Sequence, residues 1–235
     1  MKLSVLIPVY NERNTILTVI ERVKKEPHEK EIIIVDDGST DGTKALLKQI
    51  DDENIKIVFN ERNRGKGFAV RQALNYMTGD IAIIQDADLE YQPDYYGVLI
   101  EKIIREEADV VYGSRVLGKS KIVHFPHYLG NQIITRLANV ILGAKLTDIS
   151  TGYKVFKSSC IKELCLQEDG FGIEAEITAE IFKRKYRIAE TPIICNSRTY
   201  QEGKKITWLD FFKCIYALLN AYFRNTNSRK IDKPC

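Results

Sequence analysis

The sequence predicts an α/β fold: a Rossmann-like, mainly parallel sheet flanked by helices, with an amphipathic helix at the C-terminus. Three observations predict it. Short apolar runs rich in β-branched residues alternate with segments of helical spacing. Those runs close on polar clusters, which a parallel sheet gathers at the carboxyl ends of its strands, where such sheets bind ligands. No run reaches the roughly 18–20 apolar residues of a membrane-spanning helix.

In chain order, Leu3 to Val9 reads as a buried strand, and the spacing of Ile16, Val19, Ile20 and Val23 predicts a helix over Arg13 to Lys25. Ile32 to Val35 is a second strand, ending in Asp36-Asp37-Gly38-Ser39, with a helix from about Thr43. Ile55 to Phe59 is a third. A loop carrying Gly65 and Gly67 leads into a helix through Tyr76. Ile81 to Ile84 is a fourth strand, closing on Gln85-Asp86-Ala87-Asp88. Pro93 opens another helix, and Val110 to Tyr112 is a fifth strand. Beyond this the alternation weakens. Gly118 to Tyr128 reads as a mobile loop, Asn131 to Leu142 as a helix, Glu174 to Lys185 as a helix, Ile188 to Ile194 as a strand and Trp208 to Arg224 as a helix. The expected organisation is a catalytic domain over 1–205 and a helix with a basic tail over 206–235.

With 35 basic against 32 acidic residues the formal charge of +3 makes no case for nucleic acid as a partner. The N-terminal apolar run is too short for a signal peptide. Cys160, Cys165, Cys195, Cys214 and Cys235 form no CxxC pair and are odd in number, so reduced thiols in a cytoplasmic protein are expected.

Asp86-Ala87-Asp88-Leu89-Glu90 follows a buried strand directly. Alternating carboxylates there offer oxygen ligands to a hard cation, Mg²⁺ or Mn²⁺, that keeps sites for diphosphate oxygens. In the turn from Asp36 to Thr43 one of the carboxylates Asp36 and Asp37 is surplus to turn and cap formation, which suggests contact with a base or ribose. Gly65-Lys66-Gly67 opens a helix, where backbone N–H groups and a lysine suit a phosphate. No G-x-x-x-x-G-K-[ST] or G-x-G-x-x-G stretch is present, so neither an ATPase nor a dinucleotide enzyme is indicated. A sugar-nucleotide synthase would need a glycine-rich N-terminal loop in place of Leu6 to Asn11. A non-catalytic nucleotide-sugar-binding protein would be expected to lack a metal carboxylate, yet Asp86 and Asp88 are both there.

Together these residues resemble the family 2 glycosyltransferases of the GT-A fold, and within them the polyprenyl (dolichyl) phosphate mannosyl- and glucosyl-transferases. The resemblance is carried by VLIPVYNE (5–12), VDDGSTDGT (35–43), GKG (65–67), QDADLE (85–90), GSR (113–115), TDISTGYKVF (147–156), FGIEAE (171–176) and RTYQEGKKI (198–206). It implies an inverting enzyme that moves a sugar from a nucleoside diphosphate to a polyprenyl phosphate. It assigns Pro8, Tyr10, Glu12, Asp37 and Lys66 to the nucleotide-sugar, with Asp36 beside them. Asp86, Asp88 and Glu90 would hold metal and diphosphate around Ala87. Arg115 would face the acceptor phosphate, together with Asn131 and Thr135, and Arg198, Lys204 and Lys205 would close over the phosphates. Mannosyl relatives tend to carry an arginine where Asn131 stands; Gly130-Asn131 is similar to the glucosyl type and tilts the expectation towards a UDP-sugar, with GDP-mannose as the other donor.

A phosphate acceptor is already largely dianionic at neutral pH and attacks without a protein base. A hydroxyl of a growing glycan, the alternative acceptor, needs a carboxylate base, for which Asp148, Glu174 and Glu176 come forward. The final helix, with Leu209, Phe212, Ile215, Tyr216, Leu219, Tyr222 and Phe223 on one side, either packs on the core or lies on a membrane surface beside its basic tail, at the cytoplasmic face. A separate membrane partner presenting the lipid would serve the same need.

Overall fold

The computed structural model describes residues 1–198 and 208–224. Seven strands form one sheet in the order β3-β2-β1-β4-β6-β5-β7: β1 (Leu3–Val9), β2 (Lys30–Asp36), β3 (Ile55–Phe59), β4 (Ile81–Ile84), β5 (Val110–Ser114), β6 (Lys154–Lys157) and β7 (Ile188–Pro192). All run parallel except β6, which is antiparallel to both of its neighbours. Order reverses at β1, with β2 on one side and β4 on the other, so a crevice opens beyond the ends of these strands.

The strands are buried on both faces, which explains their near-continuous apolar sequence. From β1, Leu3, Val5, Ile7 and Val9 pack into one layer with α1 (Ile16–Lys25) and α4 (Tyr96–Ile104). Leu6 points into the opposite layer, with α3 (Lys66–Leu74), α5 (Phe125–Leu142) and α7 (Ile173–Lys183). The remaining helices are α2 (Thr43–Leu47), α6 (Ser158–Glu163) and α8 (Trp208–Phe223).

Several expectations change. Residues 125–128 belong to α5 and not to a loop: Pro126 lies in the first turn, where its fixed φ and missing N–H cost nothing. Strand β7 ends at Pro192, before Ile194. Strand β6 and helix α6 had no counterpart in the sequence reading. Helix α8 packs on the core by only part of the side read from the sequence, through Ile215. Ala217, Leu218 and Ala221 are buried against the core, while Leu209, Phe212, Tyr216 and Phe223 are exposed. Arg224 is no part of a free basic tail. It pairs with Glu176 and Glu180 and donates to the carbonyl of Cys165. No described helix is long and apolar enough to cross a membrane.

Candidate active site

A cleft of about 1130 Å³ opens at the carboxyl edge of the sheet. One end is polar, lined by Pro8, Tyr10, Glu12, Asp37, Lys66, Asp86, Ala87, Asp88, Glu90, Arg115, Glu174 and Arg198; the other is more apolar, between α5 and α8, where Leu129, Ile133, Phe171, Phe211 and Phe212 lie with Asn131. The predicted clusters, up to 186 residues apart in sequence, thus meet in one place.

The strand ends decide which carboxylates face it. Asp36 is the last residue of β2 and fully buried; it accepts the Ser39 N–H at 3.3 Å and lies off the cleft. Burial pushes its carboxyl above the ordinary value. Its neighbour Asp37 reaches the cleft instead, accepting the N–H groups of Arg64 (2.9 Å) and Gly65 (2.6 Å) and the Asn60 amide (2.9 Å). Asp37 thereby fixes the glycine loop that opens α3. Gly65 has φ +110°, and a Cβ there would meet the Asp169 carbonyl at 2.4 Å, so the loop requires glycine.

From the first turn of α3, Lys66 Nζ reaches Asp86 Oδ1 at 2.7 Å and Glu174 Oε1 at 2.8 Å. Glu174 Oε2 in turn accepts from Lys154, a fully buried ammonium that also donates to the Ile149 and Thr151 carbonyls. The result is an alternating chain, Lys154–Glu174–Lys66–Asp86. Burial alone would raise the Glu174 pKa, but the two ammonium groups hold it below the ordinary carboxylate value. Burial likewise opposes the Lys66 charge, and Asp86 and Glu174 outweigh it, raising its pKa. Opposite, a Cβ on Gly152 would stand 2.2 Å from Asp86 Oδ2, so glycine lets the loop press against that carboxylate.

Asp88 is pushed up to about 7, by burial first and then by the charges of Asp86 and Glu90, with Arg198 working the other way. Its Oδ1 accepts the Glu90 N–H at 3.0 Å across Leu89, which holds φ +63°. Arg198 donates to Asp88 at 3.1 Å and to both oxygens of Glu12 at 3.1 and 3.0 Å. Glu90 accepts the Arg198 backbone N–H at 2.9 Å and faces Cys195. Glu90, expected among the metal ligands, thus lines the cleft beside Asp88 and is engaged with the segment after β7.

These residues fit a divalent cation by their donor chemistry. Asp88, crowded by the charges of Asp86 and Glu90, is relieved by a hard cation. Among the described residues no three His, Cys, Asp or Glu side chains form a ready cage. Two carboxylates, Asp86 and Asp88, suit an ion that shares its coordination with substrate phosphates.

Also at the polar end, Arg115 Nε and Nη2 each lie 2.7 Å from Asp148, a bidentate pair, and the Arg115 N–H adds a third bond at 3.1 Å. Asp148 is buried and off the cleft, while Arg115 lines it. Thr135 is also off it: buried, it accepts the Ile149 N–H at 3.4 Å. Glu176 points away altogether, accepting the N–H groups of Gln167 and Glu168 at 2.9 Å and pairing with Arg224. It fastens α7 to the 165–168 loop and α8, so its place as a base falls. Lys204 and Lys205 lie outside the described residues. Sequence reasoning missed Lys154 and Gly152 as individuals, and Tyr91, whose hydroxyl accepts the Gly152 N–H at 3.1 Å. Local pattern carries no signal that a lysine opening a strand is buried.

A sequence model of the family described as Glycosyl transferase family 2 matches residues 4–165. A UDP-N-acetylglucosamine–dolichyl-phosphate N-acetylglucosaminyltransferase of Methanococcus voltae is 30% identical over 235 residues, 91% of this chain and 93% of that one. An undecaprenyl-phosphate mannosyltransferase of Micrococcus luteus is 26% identical, covering 87% of each chain. A dolichol-phosphate mannosyltransferase of Pyrococcus furiosus is 28% identical over 93% of this chain, which spans 64% of that protein's length. In fold the chain is similar to glucosyl-3-phosphoglycerate synthase from Mycobacterium tuberculosis, solved with Mn²⁺, UDP and phosphoglyceric acid (TM-score 0.72, 22% identity, 96% of this chain and 80% of that one). With the family's match spanning β1 to α6, and an α/β cleft that gathers its acidic and basic residues at one sheet edge, this chain belongs to glycosyl transferase family 2 and is a glycosyltransferase.

Proposed function

We propose that the chain transfers a sugar, with inversion, from a nucleoside diphosphate to a polyprenyl phosphate, with a UDP-sugar as the first donor to test and GDP-mannose beside it. The observation that carries this reading is the state of Asp148, Glu174 and Glu176, the three carboxylates that come forward from the sequence as a base. Glu174 is shared by two ammonium groups, Asp148 is locked to Arg115, and Glu176 lies off the cleft. A hydroxyl acceptor needs a proton acceptor; a phosphate does not. The names of the three sequence relatives, each acting on a dolichyl or undecaprenyl phosphate, support the same acceptor.

In this reading Tyr10, Glu12 and Asp37 border the nucleoside and Lys66 meets the diphosphate. Asp86 and Asp88 would hold Mg²⁺ or Mn²⁺, which when bound neutralises charge on the departing nucleoside diphosphate. Arg115 spends two side-chain N–H groups on Asp148 and keeps three for the acceptor phosphate. An acceptor oxygen forms its bond to the anomeric carbon as the bond to the diphosphate breaks on the opposite face. The α5–α8 end of the cleft would take the start of the lipid. The exposed stripe Leu209, Phe212, Tyr216 and Phe223 on α8, with Phe125, Leu129, Ile133 and Val140 on α5, would rest on the membrane as a peripheral contact.

The test is incubation of the protein with Mn²⁺ or Mg²⁺, a short polyprenyl phosphate and UDP- and GDP-sugars, reading lipid-linked sugar phosphate by mass. A product lost with EDTA and in Asp88→Ala is expected. Turnover with glycan acceptors and none with the lipid would overturn the acceptor.

A further inference from the structure

Among the cations lining the acidic end of the cleft, Lys66 and Arg198 are anchored differently. Lys66 is tied behind the cleft through Glu174 to the buried Lys154. Among the described residues Arg198 has no such anchor. Its guanidinium is held, among the described residues, by Glu12 and Asp88, both of which line the cleft. Among the described residues its buried Nε meets no hydrogen-bond partner. Its backbone N–H rests on Glu90, beyond the end of β7 and outside regular structure.

We infer that the guanidinium of Arg198 and a divalent cation are alternative occupants of the carboxylates around Asp88. This rests on the metal-dependent transfer proposed above. Arg198 Nη2 stands 3.1 Å from Asp88 Oδ2, so an ion ligated by Asp88 would lie within a few ångströms of a positive charge, and like charges so close in a partly buried site repel strongly. Without either cation, Asp88 would face the neighbouring charges of Asp86 and Glu90. Arg198 fills that role with one charge and a planar fork; the ion fills it with two. Arrival of the ion therefore displaces Arg198 from Asp88, so that ion binding and the Arg198–Glu12 pair are coupled. Glu90 acts as a positioning residue here, holding the backbone from which the guanidinium reaches in.

Titration of the whole chain with Mn²⁺ alone, following free Mn²⁺ by its paramagnetic resonance signal, tests this. Arg198→Ala is expected to bind Mn²⁺ about fivefold or more tightly than the unaltered chain, a typical size for coupling between competing ligands. Its melting temperature is expected to rise more on adding Mn²⁺. Arg198→Lys, which keeps the charge and loses the fork, is expected to fall between, and it serves if the alanine variant folds poorly. Asp88→Asn is expected to abolish binding with either residue at 198. Equal or weaker binding by Arg198→Ala, with Asp88→Asn still abolishing it, would overturn the competition and leave the metal reading standing. No Mn²⁺ uptake by any of the proteins, with or without UDP, would remove the metal reading and the competition together.

Discussion

Arg115 and Asp148 form a bidentate pair at 2.7 and 2.7 Å, with the Arg115 N–H adding a third bond at 3.1 Å. Asp148 is itself steadied by Glu190, which accepts its N–H at 3.1 Å and that of Thr147 at 3.0 Å. A buried carboxylate thus aims one cleft-facing guanidinium. Asp148→Asn keeps the shape but loses charge and fork. We expect kcat/KM for the acceptor to fall about 10- to 100-fold, in line with lost orientation of a charged group, while KM for the sugar donor stays within about twofold. An equal rise in both KM values would sink the assignment of Arg115 to the acceptor.

Glu174→Gln separates a base from a positioning carboxylate. Loss of a general base would change the pH profile as well as the rate. We expect a weaker sugar donor KM, because Lys66 loses one of its two anchors, and a kcat–pH profile of unchanged shape. Disappearance of an acidic limb in kcat would restore Glu174 as a base and with it the hydroxyl acceptor.

Gly152→Ala puts a methyl group 2.2 Å from Asp86 Oδ2 and 3.1 Å from Lys66 Nζ. The carboxylate must swing away, breaking the 2.7 Å pair. Activity is expected to drop at least about tenfold, roughly one hydrogen bond's worth, with circular dichroism unchanged. Full activity in this variant would show that the pair is dispensable.

Glu176→Ala leaves two backbone N–H groups without their carboxylate and Arg224 with Glu180 alone. Breaking such a buried pair costs about 3 kcal/mol, a melting temperature lower by roughly 6–12 °C for a chain of this size. Measured well below that temperature, kcat should stay within about twofold; a collapse of kcat in the folded variant would return Glu176 to the site.

Glu31 supplies a pH dependence of stability away from the cleft. Burial would raise its pKa, but hydrogen bonds from Ser4, the Thr78 N–H and hydroxyl, and Lys2 hold it at about 2. A folded-state pKa below the unfolded one means that the contribution is present above about pH 4.5 and is lost as pH falls towards 2. Glu31→Gln should therefore melt below the unaltered chain at pH 6, with the gap closing between pH 4.5 and 2 in calorimetric scans. A gap independent of pH would show that the carboxylate charge contributes nothing.

The parallel half of the fold was legible because its code is local. Strands β1, β2 and β4 are apolar runs since both of their faces are covered, and the polar residues after them must project at the carboxyl edge, so the meeting of Glu12, Asp37, Asp86 and Asp88 follows from strand direction alone. What remained illegible was decided by partners distant in sequence. A strand of four residues beginning with a lysine has no period to read, yet β6 exists because β4 and β5 offer it two ladders and Glu174 and the Ile149 and Thr151 carbonyls satisfy Lys154 in the interior. Of two adjacent aspartates, pleat and register turned Asp37 into the cleft and left Asp36 beneath it. Two glutamates two residues apart on α7 received opposite tasks, Glu174 between lysines and Glu176 at the 165–168 loop, because positions i and i+2 face different sides of a helix. The sequence by itself determined which chemical groups reach the carboxyl edge of the sheet; only the tertiary structure decided which of them are free to act, because the energy of a buried charge is set by the counter-charges packed against it, and those come from elsewhere in the chain.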